Sequence, residues 1–176
     1  MLMIALIFLV VIILIFIIST TNNFKRLDIK VDESLSGIEV ALEKRYDMLT
    51  KLLEATKGYM SHEKEVYEDV IALRKGMSID DLKSAVKKID AMQERVVALC
   101  EGYPELRSSD VIINLQDGIK DVEEHLQAAK RLYNANVSAY NEALAVFPSS
   151  LLKGNRTPKD FFEIEDRKKQ DVKIEL

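Results

Sequence analysis

Apolar residues follow three different patterns along the chain. The first is an unbroken run, "MLMIALIFLVVIILIFII", from Met1 to Ile18, with no charged residue before Lys25. As a helix this run spans ~27 Å, close to the ~30 Å hydrocarbon core of a bilayer. A helix is the form expected there, because it satisfies its own backbone groups in lipid. Met1, Ile4, Phe8, Val11, Leu14 and Ile18 mark this expected anchor, with Ser19 to Asn23 among the headgroups. A cleaved signal peptide fits poorly: there is no basic n-region, the apolar core is too long, and "STTNN" offers no A-x-A site. Lys25, Arg26 and Lys30 follow the run, so the positive-inside rule places a short N-terminus outside and the bulk of the chain in the cytoplasm. On that topology the sequons at Asn136 and Asn155 are chance matches. The run has no G-x-x-x-G and only Ala5 as a small residue before Ser19, which predicts a lipid-facing tether.

The second pattern is apolar residues in steps of three and four, the mark of amphipathic helices. Leu35, Ile38, Leu42, Tyr46, Leu49, Leu52, Thr56 and Tyr59 form one such stripe, with charges on the other faces. A short helix carrying Val66, Val70 and Leu73 is expected next, with Ser61 as its cap. After Gly76, Ser78 and Asp81 are spaced as a capping box for a helix presenting Leu82, Val86, Ile89, Met92, Val96 and Leu99. "EGYPEL" stops it, because Gly102 suits a helix end and Pro104 blocks continuation. The longest stripe runs Val111, Leu115, Ile119, Val122, Leu126, Ala129, Tyr133, Val137, Tyr140, Leu144 and Phe147. Such a heptad-like, coiled-coil seam wants antiparallel neighbours.

Past Pro148 the periodicity is lost. Gly154, Pro158 and dense charge predict a loop and a mobile tail, within which Phe161 and Phe162 are expected to dock on the chain's own bundle, with a partner as the alternative. The expected organisation is therefore an anchor (1–24), a cytoplasmic bundle (25–148), and a loop with a charged tail (149–176). The fold class is all-α: one N-terminal transmembrane helix, then an antiparallel bundle of four helices, or of three arms with one kinked at Gly76–Ser78.

Charge and composition narrow the functional classes. The net charge of −4 comes with Lys and Arg interspersed among Asp and Glu, so no basic stripe for nucleic acid is present. The single cysteine, Cys100, fits a reducing compartment and a small apolar role near a helix end. Both histidines, His62 and His125, lie outside any metal-ligand spacing, and "HEKE" lacks the second histidine of a zincin helix. Phosphate-binding glycine loops and G-x-S-x-G are also missing from the sequence. No cofactor, metal or catalytic constellation is therefore expected. The residues singled out for contact are Arg131, Tyr133, Asn134, Tyr140 and Asn141. In "YNANVSAYNEALAVFP" the Tyr-Asn pair recurs at a heptad spacing, so the asparagines flank the seam. There they either fix register by hydrogen bonds, across helices or to "GYPEL", or form a partner surface.

Taken together, "VDESLSGIEVALEKRYDMLTKLLEATKGYMSHE", "LCEGYPELRSS", "NLQDGIKDVEEHLQAAKRLYNANVSAYNEALAVFPSSL" and "FFEIED" resemble the LemA family of bacterial membrane proteins. The resemblance extends over nearly everything from Asn22 to Glu163. The family's frequent Trp near Leu35 and Pro near Thr50 are missing, which affects local packing. The resemblance implies an outward N-terminus, a cytoplasmic helical bundle tilted toward four helices, and no established enzymatic activity. The expected function is a self-associating scaffold or interaction protein at the inner membrane, bound to itself or to other membrane-associated proteins. The alternative is a membrane-bound sensor whose bundle responds to a ligand or partner.

Overall fold

The apolar run and the first amphipathic stripe form a single helix. In the computed structural model, which describes residues 1–56, 77–103 and 109–162, helix α1 runs without interruption over Leu2–Thr56. At ~1.5 Å per residue it is ~82 Å long. Its apolar N-terminal part is exposed throughout and is the one candidate membrane span among the described residues. The bundle begins at once on the far side: Phe24, beside the basic flank, is already buried, as are Val31, Ile38, Leu42, Leu49 and Leu52. Burying such side chains stabilises the fold by about 1.5–3 kcal/mol each. The buried hydroxyls of Ser34 and Thr56 bond back to carbonyls of their own helix, Val31 and Leu53.

Helix α2 (Ile79–Gly102) starts with the expected capping box. The Asp81 N–H donates to Ser78 Oγ (3.2 Å), and the Ser78 N–H donates back to Asp81 Oδ2 (3.2 Å). Its first turn carries Asp80 and Asp81, which favours the helix N-terminus, and it ends at Gly102 as expected. Helix α3 (Asp110–Ala145) is the longest element outside α1 among the described residues. Its end is closed by the Val146 N–H on the Glu142 carbonyl and by Ser149 Oγ, 2.7 Å from the Ala143 and Val146 carbonyl oxygens. A cis Phe147–Pro148 bond and a 3₁₀ turn (Ser149–Leu152) follow. Gly154, at φ 57°, then reverses the chain in a conformation that L side chains rarely adopt.

The directions follow from contacts. Asn136 Nδ2 donates to the Lys30 carbonyl, and Met48 Cε lies 2.9 Å from where a Gly118 Cβ would stand, so α3 is antiparallel to α1. The Met77 N–H meets Glu39, while Asp90 and Gln93 meet Arg45, so α2 is parallel to α1. The described fold is all-helical, with α1 packed on both α2 and α3 and most extensively on α3. The choice between four helices and three arms with one kinked falls on residues 57–76, outside the described residues. So do the short helix expected there, Tyr59 and His62.

Two positions of the longest stripe differ from expectation. Ile112 is buried and Val111 exposed, which puts Ile112, Ile119, Leu126, Tyr133 and Tyr140 on one strict heptad line. Phe147 is exposed rather than inward, because the helix ends at Ala145 and the helical phase no longer aims its side chain.

Candidate functional site

The Tyr-Asn repeat of α3 holds the chain's own tail. From Arg156 to Phe162 the chain runs back along α3 as an extended strap. Asn141 Nδ2 donates to the Lys159 carbonyl (2.9 Å) and its Oδ1 accepts the Lys159 N–H (2.8 Å). Asn134 does the same with Phe162, both bonds at 2.8 Å. A side-chain amide carries a donor and an acceptor spaced like a peptide group, so each asparagine pairs with backbone as a neighbouring strand would. The spacing matches: seven helical residues rise ~10.5 Å, and three extended residues cover ~10 Å.

Aromatic and cationic groups fill in around the two amides. Tyr133 Oη donates to the Asp160 carbonyl (3.1 Å), and its ring meets the buried Phe162 edge-on at 6.5 Å between centroids. Lys130 Nζ lies 5.3 Å from the Phe162 ring, Lys159 Nζ 5.4 Å from Tyr140, and the Arg156 guanidinium 5.0 Å from Phe24. Lys159 also pairs with Asp28 (2.6 Å) and Asp32 (3.1 Å) of α1, so the strap ties α3 to α1. Burial opposes the Lys159 ammonium, but its bonds to Asp28 and Asp32 outweigh this and hold its pKa above the ordinary lysine value. Burial pushes the Tyr133 phenol up as well.

A second polar arrangement lies further from the span. Arg45, almost fully buried on α1, reaches both α2 and α3. Its Nη2 pairs with Asp90 Oδ1 (2.7 Å), and Nη2 and Nε both donate to Gln93 Oε1 (2.7 and 3.2 Å). Its Nη1 stands 3.1 Å from Glu123 Oε2 of α3, off a hydrogen-bonding line, so that contact is ionic only. Beside this cluster a groove of about 480 Å³ opens between α2 and α3, lined by Gln93, Val97, Cys100, Gln116, Ile119 and Lys120. Burial raises the Cys100 pKa, which leaves the thiol protonated and poorly nucleophilic at neutral pH. Among the described residues no three His, Cys, Asp or Glu side chains converge to hold a metal ion.

The structure thus brings Tyr133, Asn134, Tyr140 and Asn141 together around the strap, and leaves Arg131 exposed beside them. Among the described residues the asparagines' partner is the tail, at Phe162 and Lys159; most of "GYPEL" lies outside those residues. Phe162 docks as expected, Phe161 stays half-exposed, and the described part of the 149–176 stretch lies on the bundle. Met1, just before α1, and Ile4, Phe8, Val11, Leu14 and Ile18 on it are all exposed, and Lys25, Arg26 and Lys30 are exposed on α1 beyond the apolar run. The residue that sequence reading missed is Arg45. Its signal was present, since Ile38, Leu42, Arg45, Leu49 and Leu52 keep the three–four step, but apolar Tyr46 fits the same slot.

Comparison with known proteins finds similar sequences. A model of the LemA family matches residues 34–176. "Protein LemA" of Metamycoplasma hominis is 26% identical over 131 residues, which is 72% of this chain and 60% of that protein. The chain therefore spans about three fifths of the length of this curated relative.

Proposed function

The chain belongs to the LemA family, and from that premise we propose that it is a membrane-anchored cytoplasmic helical scaffold that self-associates, without enzymatic activity of its own. The supporting observation is the continuity of α1 from Leu2 to Thr56. One helix joins the apolar segment to the bundle core with no intervening linker, so the bundle stands at a fixed height above the bilayer. That suits a platform that gathers copies of itself or other membrane-associated proteins. It also argues for a retained anchor, because cleavage after the apolar run would cut the helix immediately before buried Phe24. The orientation, with the N-terminus outside and the bundle in the cytoplasm of an inner membrane, rests on Lys25, Arg26 and Lys30.

In vivo crosslinking of the full-length protein, read by mass spectrometry, tests this reading. Self-crosslinks between bundle residues are expected, and a strictly monomeric protein with no crosslinked neighbour rejects it. Protease added to right-side-out vesicles is expected to leave residues 25–176 intact; digestion there overturns the orientation.

The groove between α2 and α3 favours a second reading, a sensor whose helix packing responds to a bound ligand. It abuts the Arg45 cluster, which joins α1, α2 and α3. A small molecule retained in native mass spectrometry by the parent protein, and lost on Gln116→Leu, would move the assignment to that reading.

A further inference from the structure

The turn after α3 returns to the level of the membrane. Asn136 on Lys30 and Gly118 on Met48 fix the register of α3 against α1, and the two helices stay in step between those points. One residue forward on α3 is one residue back on α1. Ala145, the last residue of α3, is therefore level with Thr21, and the following residues emerge level with Thr20 and Ser19, next to Ile18 where the apolar run ends. The 3₁₀ turn Ser149–Leu152 packs against both helices. The exposure of α1 records this neighbour: Phe16 and Ile17 fall to 37% while Ile18 is at 60%, and on the same face Thr20 and Thr21 are half-buried and Phe24 is buried.

What this turn presents outward is apolar. Val146 is 49% exposed, Phe147 74% and Leu151 72%. No Asp or Glu occurs from Ala143 to Lys159, and Lys153 is exposed at the tip. In water such side chains carry a solvation cost with no packing return. At the boundary between headgroups and acyl chains, apolar tips and a flanking lysine are both accommodated.

We infer that the turn Val146–Lys153 is a second contact with the bilayer that α1 crosses, with Phe147 and Leu151 inserted at the headgroup–acyl boundary and Lys153 on anionic headgroups. The contact rests on the reading of α1 as a membrane span. It would fix the tilt and rotation of the bundle, because a single helix fixes only its height. The strap leaves from this same turn, so the membrane contact and the Asn141 and Asn134 clamps hold opposite ends of one segment.

The chain contains no tryptophan, so Phe147→Trp and, separately, Leu151→Trp each introduce the sole indole. The full-length variants are reconstituted in phosphatidylcholine–phosphatidylglycerol vesicles that contain lipids brominated near the headgroup end of the chain. Both are expected to show blue-shifted emission and a clear loss of intensity relative to Tyr103→Trp at the distal end of α2. Phe8→Trp, near the middle of the apolar run, tests the span separately in vesicles whose lipids are brominated deep in the acyl chain. Quenching at Phe8→Trp with none at Phe147→Trp and Leu151→Trp overturns the turn contact and leaves the anchor standing. Absence of quenching in all three overturns both. Blue-shifted emission at the turn without bromolipid quenching assigns the patch to another protein surface and overturns the inference as well.

Discussion

In the half of the bundle next to the apolar segment, Asn134 and Asn141 hold the tail with neutral amides, each paired twice with backbone. In the far half, Arg45 holds three helices together with charge, through Asp90, Gln93 and Glu123. The first arrangement satisfies every hydrogen-bonding group that it buries, and its loss frees one segment. The second places a buried guanidinium whose removal would leave two partly buried carboxylates without their cation. The difference separates attachment from integrity. The near half secures an accessory strap on helices that already pack well, whereas the far half depends on an ion cluster for the meeting of α1, α2 and α3.

The strongest break in this comparison is Arg45→Ala. Removing one partner of a buried ion cluster costs about 3–5 kcal/mol. Because Asp90 and Glu123 keep 25% and 34% side-chain exposure, the lower part of that range is expected. Urea denaturation of the full-length protein should show a lowered midpoint for the whole bundle. Arg45→Lys, which keeps the charge but loses the planar fork, should fall between the two.

Asn134→Ala and Asn141→Ala come next. Each leaves one backbone N–H and one carbonyl of the strap without its partner, for about 1–3 kcal/mol. The effect should be local: faster hydrogen exchange at the Phe162 or Lys159 amide, with little change in the global urea midpoint. If Asn134→Ala lowered that midpoint as far as Arg45→Ala, the two halves would be a single cooperative unit and the comparison would fail.

Smaller effects sharpen it. Lys159→Met removes pairs with Asp28 and Asp32, which are 49% and 70% exposed, so about 0–1 kcal/mol is expected, and less in high salt. The raised Lys159 pKa gives the same contact a pH dependence. Its contribution is full below the ordinary lysine pKa of roughly 10.4 and is lost as pH rises through the higher folded value. The raised Tyr133 and Cys100 values act in the same direction, so stability should be flat through neutral pH and decline in the alkaline range. A urea midpoint that fell between pH 6 and 8 would contradict this.

Much of the fold was legible because its signals are periodic. Steps of three and four picked out Ile38, Leu42, Leu49, Leu52, Ile119, Leu126 and Leu144, all buried. Ser78 and Asp81 marked the start of α2 by their own spacing, since a capping box joins neighbours in sequence. Arg45 was passed over because a charged residue at a seam position is read as a surface residue unless its partners are known. Those partners, Asp90 and Glu123, look like ordinary helix-face acids in the sequence. The Tyr-Asn repeat stands out in the sequence, but nothing in it names the partner. An asparagine that pairs with backbone asks nothing of the partner's side chain, so "KDFF" carries no matching signature.

The sequence alone determined the apolar segment, the helical character of the described chain and the stripes that face the core. These follow from local spacing and from the transfer of apolar surface out of water. Only the tertiary structure decided that Arg45 is interior, that the tail returns to Asn141 and Asn134, and that the turn after α3 lies level with the end of the apolar run. Each of these depends on the relative direction and register of distant segments, which a one-dimensional pattern does not encode.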